Sequence, residues 1–242
     1  MYGRGVPEWY IEEFEAYINA GESSEPLSKN ILDMVESTVD HYLGKNTNYK
    51  MYNEPLHDNH WRGNYNDLWN RTINVARSVD PDVVLGVNDY DIVKSDMAVC
   101  TMDLVEPYSF DFLGLQSHML PGFNGEIVNE RLDILASQGH ELYITEFDSI
   151  HYNISERAKD TEDFMRLAFS HPAVEQIIAW YFVTLNVTYS IDEFRDQRLF
   201  EAELNENSTD FVDQGYPWYP NEAGMAWIKL VKEAWTGECI EQ

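Results

Sequence analysis

From residue 48 onward, short apolar runs alternate with longer stretches whose apolar residues recur every three or four positions. The runs cover residues 49–52, 83–87, 112–115, 142–145 and 177–183. Helical spacing lies between them, over 65–78, 92–105, 126–137 and 155–169, and a last helix is predicted over 222–234. Apolar positions at i, i+3 and i+4 mark one face of a helix, whereas short β-branched runs mark buried strands. Before residue 48 the pattern is helical only, over 7–20 and 26–43, and residues 191–220 read as a long polar and aromatic loop. Five strand–helix units follow, each of roughly 30 to 45 residues, an alternation that predicts an α/β fold with a parallel sheet. The near-continuous apolar strands suit burial on both faces. A (β/α)8 barrel and an open doubly wound sheet both meet this description, and both bind ligands at the C-terminal edge of the sheet. No G-x-G-x-x-G or Walker pattern follows any strand, which favours the barrel.

Polar residues recur where the apolar runs end. The first run ends in Asn53-Glu54-Pro55, the second in Asn88-Asp89-Tyr90, the third in Gln116-Ser117-His118 and the fourth in Glu146-Phe147-Asp148. Glu54 and Glu146 lie three units apart, and barrel strands at that separation face each other across the mouth. Two converging carboxyl groups are what glycoside hydrolysis requires, one to protonate the leaving oxygen and one to attack the sugar or activate water.

These four strand ends, in this order and at this spacing, resemble glycoside hydrolase family ten, the endo-1,4-β-xylanases. Asn53-Glu54-Pro55 looks like the acid/base motif, and Ile144-Thr145-Glu146-Phe147-Asp148 resembles the nucleophile strand. Val83 to Tyr90 and Gly114 to His118 look like the fifth and sixth strands. The resemblance implies that Glu54 is the acid/base and Glu146 the nucleophile of a retaining, double-displacement mechanism. It implies that Asn53 binds the sugar 2-hydroxyl, that Gln116 and His118 line the site, and that Asp148 holds His118 against the nucleophile. By the same resemblance Tyr90 stacks on a sugar ring and Trp180 floors the site. It also implies a single catalytic domain over 1–242, working without metal or other cofactor.

Two departures from the family pattern stand out. After Trp180 come Tyr181-Phe182-Val183, with no second tryptophan until Trp218. Gly5 to Tyr10 looks like the segment after the third strand, so the barrel is expected to lack its first three strands, with a lysine and a histidine that bind sugar. A barrel left open in this way is expected to expose sheet edges and to be weakly stable and weakly active. The alternatives are a xylan-binding pseudoenzyme, an inactive fragment, or a related barrel glycosidase acting on β-glucan. A purely structural or interaction protein is a further, less favoured alternative.

Composition narrows the partners. The net charge is −27, from 43 acidic and 16 basic residues. That field repels nucleic acid and anionic membranes but is compatible with a neutral polysaccharide. Seven Trp, fifteen Tyr and eleven Phe supply material for a core. Cys100 and Cys239 are too few for a disulfide framework or zinc site, though one bridge between them is possible. Sequons at Asn70, Asn153, Asn186 and Asn207 accord with secretion, although no signal peptide opens this sequence. A monomer is expected.

Overall fold

The structure is a computed structural model. It describes residues 25–57, 66–151, 153–180, 182, 198–202 and 218–235, with six isolated positions before residue 25. The helix expected over 7–20, the segment Gly5 to Tyr10, and Cys239 lie largely or wholly outside the described residues.

Helix α1 (Glu25–Tyr42) leads into β1 (Asn48–Asn53), α2 (Asn66–Val79), β2 (Val84–Asp89), α3 (Ala98–Val105) and β3 (Phe112–Leu115). A two-residue strand β4 (His118–Met119) precedes α4 (Gly125–Ala136), β5 (Glu141–Ser149), α5 (Ile154–Ser170) and β6 (Val174–Ala179). The chain then forms β7 (Phe200–Ala202), β8 (Trp218–Pro220) and α6 (Glu222–Ile228), whose last turns widen into a π-helix over Lys229–Ala234. The main sheet is parallel with order β1-β2-β3-β5, and both β4 and β6 pair with β5. Five βα units thus follow one another around a curved wall, the architecture of part of a (β/α)8 barrel. The curvature is visible in one contact: Asn48 Nδ2 on β1 donates to the Tyr143 hydroxyl on β5, three strands away in the sheet, at 3.2 Å.

Helices cover the outside. Trp69, Ile73 and Ala76 of α2, Val128, Leu132 and Leu135 of α4, and Phe164, Met165 and Ala168 of α5 are all buried at helical spacing. Against them lie the outward residues of the strands, such as Leu85, Leu113, Leu142 and Ile144. Phe147 stacks on Phe164 at 4.5 Å with ring planes 3° apart. Asparagines start three of the helices: Asn124, Asn153 and Asn221 each accept backbone N–H bonds from the first turn that follows. On the inner face Phe112 stacks on Tyr143 at 4.2 Å, flooring the barrel. Phe112 lies over Gly86, where a β-carbon would meet the Phe112 carbonyl oxygen at 2.5 Å and its ring at 2.6 Å.

Three expectations need correction. The last strand of the sheet spans Val174–Ala179 rather than 177–183. Among the described residues it pairs on one side only, with β5, and both Glu175 and Gln176 are exposed, so polar residues fit within it. The helix expected from residue 92 begins at Ala98, because Asp91 adopts a left-handed backbone (φ 61°) and its carbonyl is capped by the Ser95 hydroxyl in a turn. The long loop contains an antiparallel pair, β7 with β8, where Phe200, Glu201 and Ala202 face Pro220, Tyr219 and Trp218.

Gly86→Ala is expected to destabilise the protein by about 1–3 kcal/mol, since the methyl group forces Phe112 off its stack. Chemical denaturation of parent and variant measures it.

Candidate active site

Two β-bulges aim the site. In β1, Lys50 pairs with Gly86 but Tyr52 pairs with Val87, so Met51 is an extra residue. The bulge brings Lys50 and Asn53, three residues apart, onto the face shared by Gly86 and Asn88. In β5, Ile144 pairs with Ile177 and Phe147 with Ala179, so that strand also carries one extra residue. As a result the consecutive side chains of Thr145 and Glu146 both point inward. Both reach the same amide: Thr145 Oγ1 donates to Asn88 Oδ1, and Asn88 Nδ2 donates to Glu146 Oε1 at 2.7 Å. Beyond the bulge Phe147 turns to the helices and Asp148 turns inward.

Asn88 is fully buried at the end of β2. Its Nδ2 also donates to Asn53 Oδ1 at 2.5 Å. Gly114 makes room for it, since a β-carbon at that position would meet Asn88 Oδ1 at 2.8 Å. Hydrogen bonds to a charged partner contribute roughly 1.5–3 kcal/mol each, so a buried amide committed at both ends fixes Glu146 firmly.

Glu54 follows Asn53 with a left-handed backbone, φ 57°. A non-glycine residue there is strained unless its surroundings enforce it. The enforcing contacts are visible: Glu54 N–H donates to the Asn88 carbonyl at 2.6 Å, and Glu54 Oε1 accepts from Gln116 Nε2 at 2.9 Å. The loop behind it is clamped by Asp89, whose carboxylate accepts from Leu56 N–H at 2.6 Å and Tyr90 N–H at 2.8 Å and meets His57 Nδ1 at 2.6 Å. Burial pushes the Asp89 carboxyl up, and these hydrogen bonds pull it back.

Gln116 and His118 flank a break between β3 and β4, where Ser117 is left-handed (φ 61°). His118 Nδ1 lies 3.0 Å from Asp148 Oδ2, and its Nε2 lies 3.6 Å from Glu146 Oε2. Burial alone would push the imidazole down, but the two carboxylates outweigh it and hold His118 up at about 9. Burial also pushes the Asp148 carboxyl up, against the pull of His118. Lys50 Nζ stands 3.8 Å from Glu146 Oε1. Glu146 is thus surrounded by an amide, an imidazolium and an ammonium.

All eight expected residues come to this mouth. Glu54, Asn53, Gln116, Glu146, His118 and Asp148 form one hydrogen-bonded and ionic network. Trp180, about half exposed, meets His118 edge-on at 6.3 Å. Tyr90 joins through His57, on which it stacks at 3.5 Å, so one of its faces is already covered by protein. Lys50 and His57 belong to no expected role, and Asn88 and Asp89 stand in the sequence only as parts of a motif, without contacts. The signal for Asn88 is its place at a strand end beside Asp89 and Tyr90. Nothing in the sequence announces Lys50, because the bulge that puts it on the same face as Asn53, three residues on, has no sequence mark. Among the described residues no group of three or more His, Cys, Asp or Glu gathers as a metal site would require.

A curled parallel sheet with two carboxylates at its C-terminal edge has the layout of a two-carboxylate (β/α) barrel protein. Residues 3–207 match the profile of Glycosyl hydrolase family 10, and the chain belongs to that family. It is 29% identical over 153 residues to the anti-sigma-I factor RsgI6 of Acetivibrio thermocellus, covering 61% of this chain and 20% of that protein. It is 26% identical over 229 residues to endo-1,4-beta-xylanase 3 of Arabidopsis thaliana, covering 89% of this chain and 29% of that one. The chain therefore spans less than a third of the length of either relative. A family 10 xylanase of Thermobacillus composti has the same fold, with a TM-score of 0.66 at 16% identity over 95% of this chain and 74% of that one.

The value for His118 lies above its ordinary 6.5, so the protonated imidazole contributes stability fully below that pH and loses it as the pH rises through about 9. The stability difference between the parent and His118→Gln is therefore expected to narrow over that interval. Melting temperatures of both proteins across the pH range measure it.

Proposed function

We propose that this protein is a retaining endo-1,4-β-xylanase that cuts internal linkages of xylan by double displacement. What carries the reading is the unbroken path of contacts Gln116–Glu54–Asn88–Glu146–His118, with Asn53 also held on Asn88, which brings two carboxylates to one mouth. Family membership and the names of relatives such as endo-1,4-beta-xylanase 3 support the substrate class.

In the first step protonated Glu54 gives its proton to the glycosidic oxygen while a Glu146 oxygen bonds to the anomeric carbon, and the bond to the leaving sugar breaks. Glu54, now a carboxylate, takes a proton from water. The water oxygen attacks the same carbon from the vacated face, and Glu146 departs as a carboxylate. Each role matches a local feature. Gln116 holds one oxygen of Glu54, leaving the other to exchange protons. Asn88 and His118 fix Glu146, and Asn53, held through its oxygen by the same Asn88, is the residue for a sugar 2-hydroxyl. Trp180 offers an exposed indole face for a sugar ring. The reading takes the chain as one monomeric catalytic domain working outside the cell, where its polymeric substrate is found.

The test is reducing-sugar release from soluble xylan, with NMR of the first-formed product. The parent is expected to release the β-anomer, and Glu146→Ala and Glu54→Ala are each expected to lose at least about a thousandfold in kcat. Binding of xylan without release of sugar would instead identify a pseudoenzyme. Faster hydrolysis of β-glucan than of xylan would move the substrate class.

A further inference from the structure

Lys50 is the charged group at the mouth that the two-carboxylate mechanism leaves unused. Its Nζ lies 3.8 Å from Glu146 Oε1, the oxygen that also accepts from Asn88 Nδ2. No other partner of this ammonium is found among the described residues. Lys50 pairs with Gly86 in regular register, and the bulge at Met51 brings Asn53 onto the same side. Its side chain is 41% exposed, against 9% for Glu146, so the ammonium stands at the wet rim of the pocket that holds the carboxylate.

We propose that Lys50 is a positioning residue for Glu146 that favours the carboxylate over its sugar ester and so speeds the second half of the reaction. The inference rests on the reading of Glu146 as nucleophile. Glu146 surrenders its negative charge when it bonds to the anomeric carbon and regains it when water displaces it. A fixed cation beside Oε1 stabilises the charged states at both ends of the cycle and gives nothing to the neutral ester between them. It therefore opposes formation of the ester and assists its hydrolysis. Asn88 cannot do the same, because its amide is neutral and is shared with Asn53 and Thr145. His118 carries a charge that is divided between Glu146 and Asp148. Among the described residues, Lys50 is the cation paired with Glu146 alone.

The test uses the full chain with Lys50→Met, Lys50→Gln and Lys50→Arg, and an aryl β-xylobioside with a good leaving group, whose kcat reports ester hydrolysis. In the Met and Gln variants kcat and KM are expected to fall together by about two- to fivefold, the scale of a part-exposed ion pair, with kcat/KM held or raised. Arg should restore both. A cationic iminosugar analogue of xylobiose should bind the Met and Gln variants about two- to fivefold tighter, since it meets an uncompensated carboxylate, while neutral xylobiose binds as before. Unchanged kcat with unchanged iminosugar affinity overturns the proposal. So does a loss of kcat/KM together with weaker xylobiose binding, which would make Lys50 a substrate contact or a structural prop. The binding arm decides the question even if the chain turns over slowly, and Gln stands in should Met fail to fold. Retained activity in Glu146→Ala, or a parent that neither hydrolyses xylan nor binds xylobiose, overturns the reading of the site itself and this inference with it.

Discussion

The arrangement of the mouth depends on one buried amide. Asn88 sits at the end of β2, between β1 and β5 in space, and its three hydrogen bonds run to Asn53, Thr145 and Glu146. An amide has two unlike ends, so this pattern can be satisfied in one orientation only: the nitrogen must face the two oxygens, and the oxygen must face the hydroxyl. Rotation of the side chain would set two acceptors against each other in a dry site. The strands are thereby locked in register at the level where the carboxylates emerge, and the carbonyl of the same residue anchors the backbone of Glu54.

Regular strands could not have supplied these contacts. Strict alternation sends neighbouring side chains to opposite faces, and no unbroken strand would let Thr145 and Glu146 meet one partner. The fold breaks its own periodicity at the level of use, by an extra residue in β1, another in β5, and a left-handed residue dividing β3 from β4. Below those breaks the strands are ordinary barrel wall, with Phe112 and Tyr143 stacked across the floor. Above them Asn53, His118, Glu146 and Asp148 are joined in the polar network of the mouth. The scaffold and the site are the same strands, separated by one residue of slippage.

This division also explains what could be read from the sequence. The central strands and α2, α4 and α5 were legible because a parallel sheet buried on both faces demands apolar runs, and covering helices demand a three-to-four residue repeat. Glu54 and Glu146 were legible because each closes such a run. Strand β6 was misplaced for a related reason: paired on one side only among the described residues, it carries exposed Glu175 and Gln176, so its apolar signal begins late. The start of α3 was hidden by the turn at Asp91, whose left-handed backbone leaves no apolar trace. Lys50 and the clamp formed by Asp89 and His57 depend on contacts between strands and on bulges, which a one-dimensional pattern does not encode.

Position 54 carries a lasting consequence of its backbone. A left-handed conformation is comfortable for glycine and tolerable for asparagine or aspartate, whose side chains can bond locally. The mouth places a glutamate there and uses its neighbours to keep it. Replacements that would relax the chain at this point shorten or remove the carboxyl group that reaches Gln116. Selection for a sturdier protein and selection for this carboxyl group therefore pull in opposite directions at a single codon. Any gain in robustness must come from elsewhere in the chain, and that elsewhere begins with the helices on the outer wall.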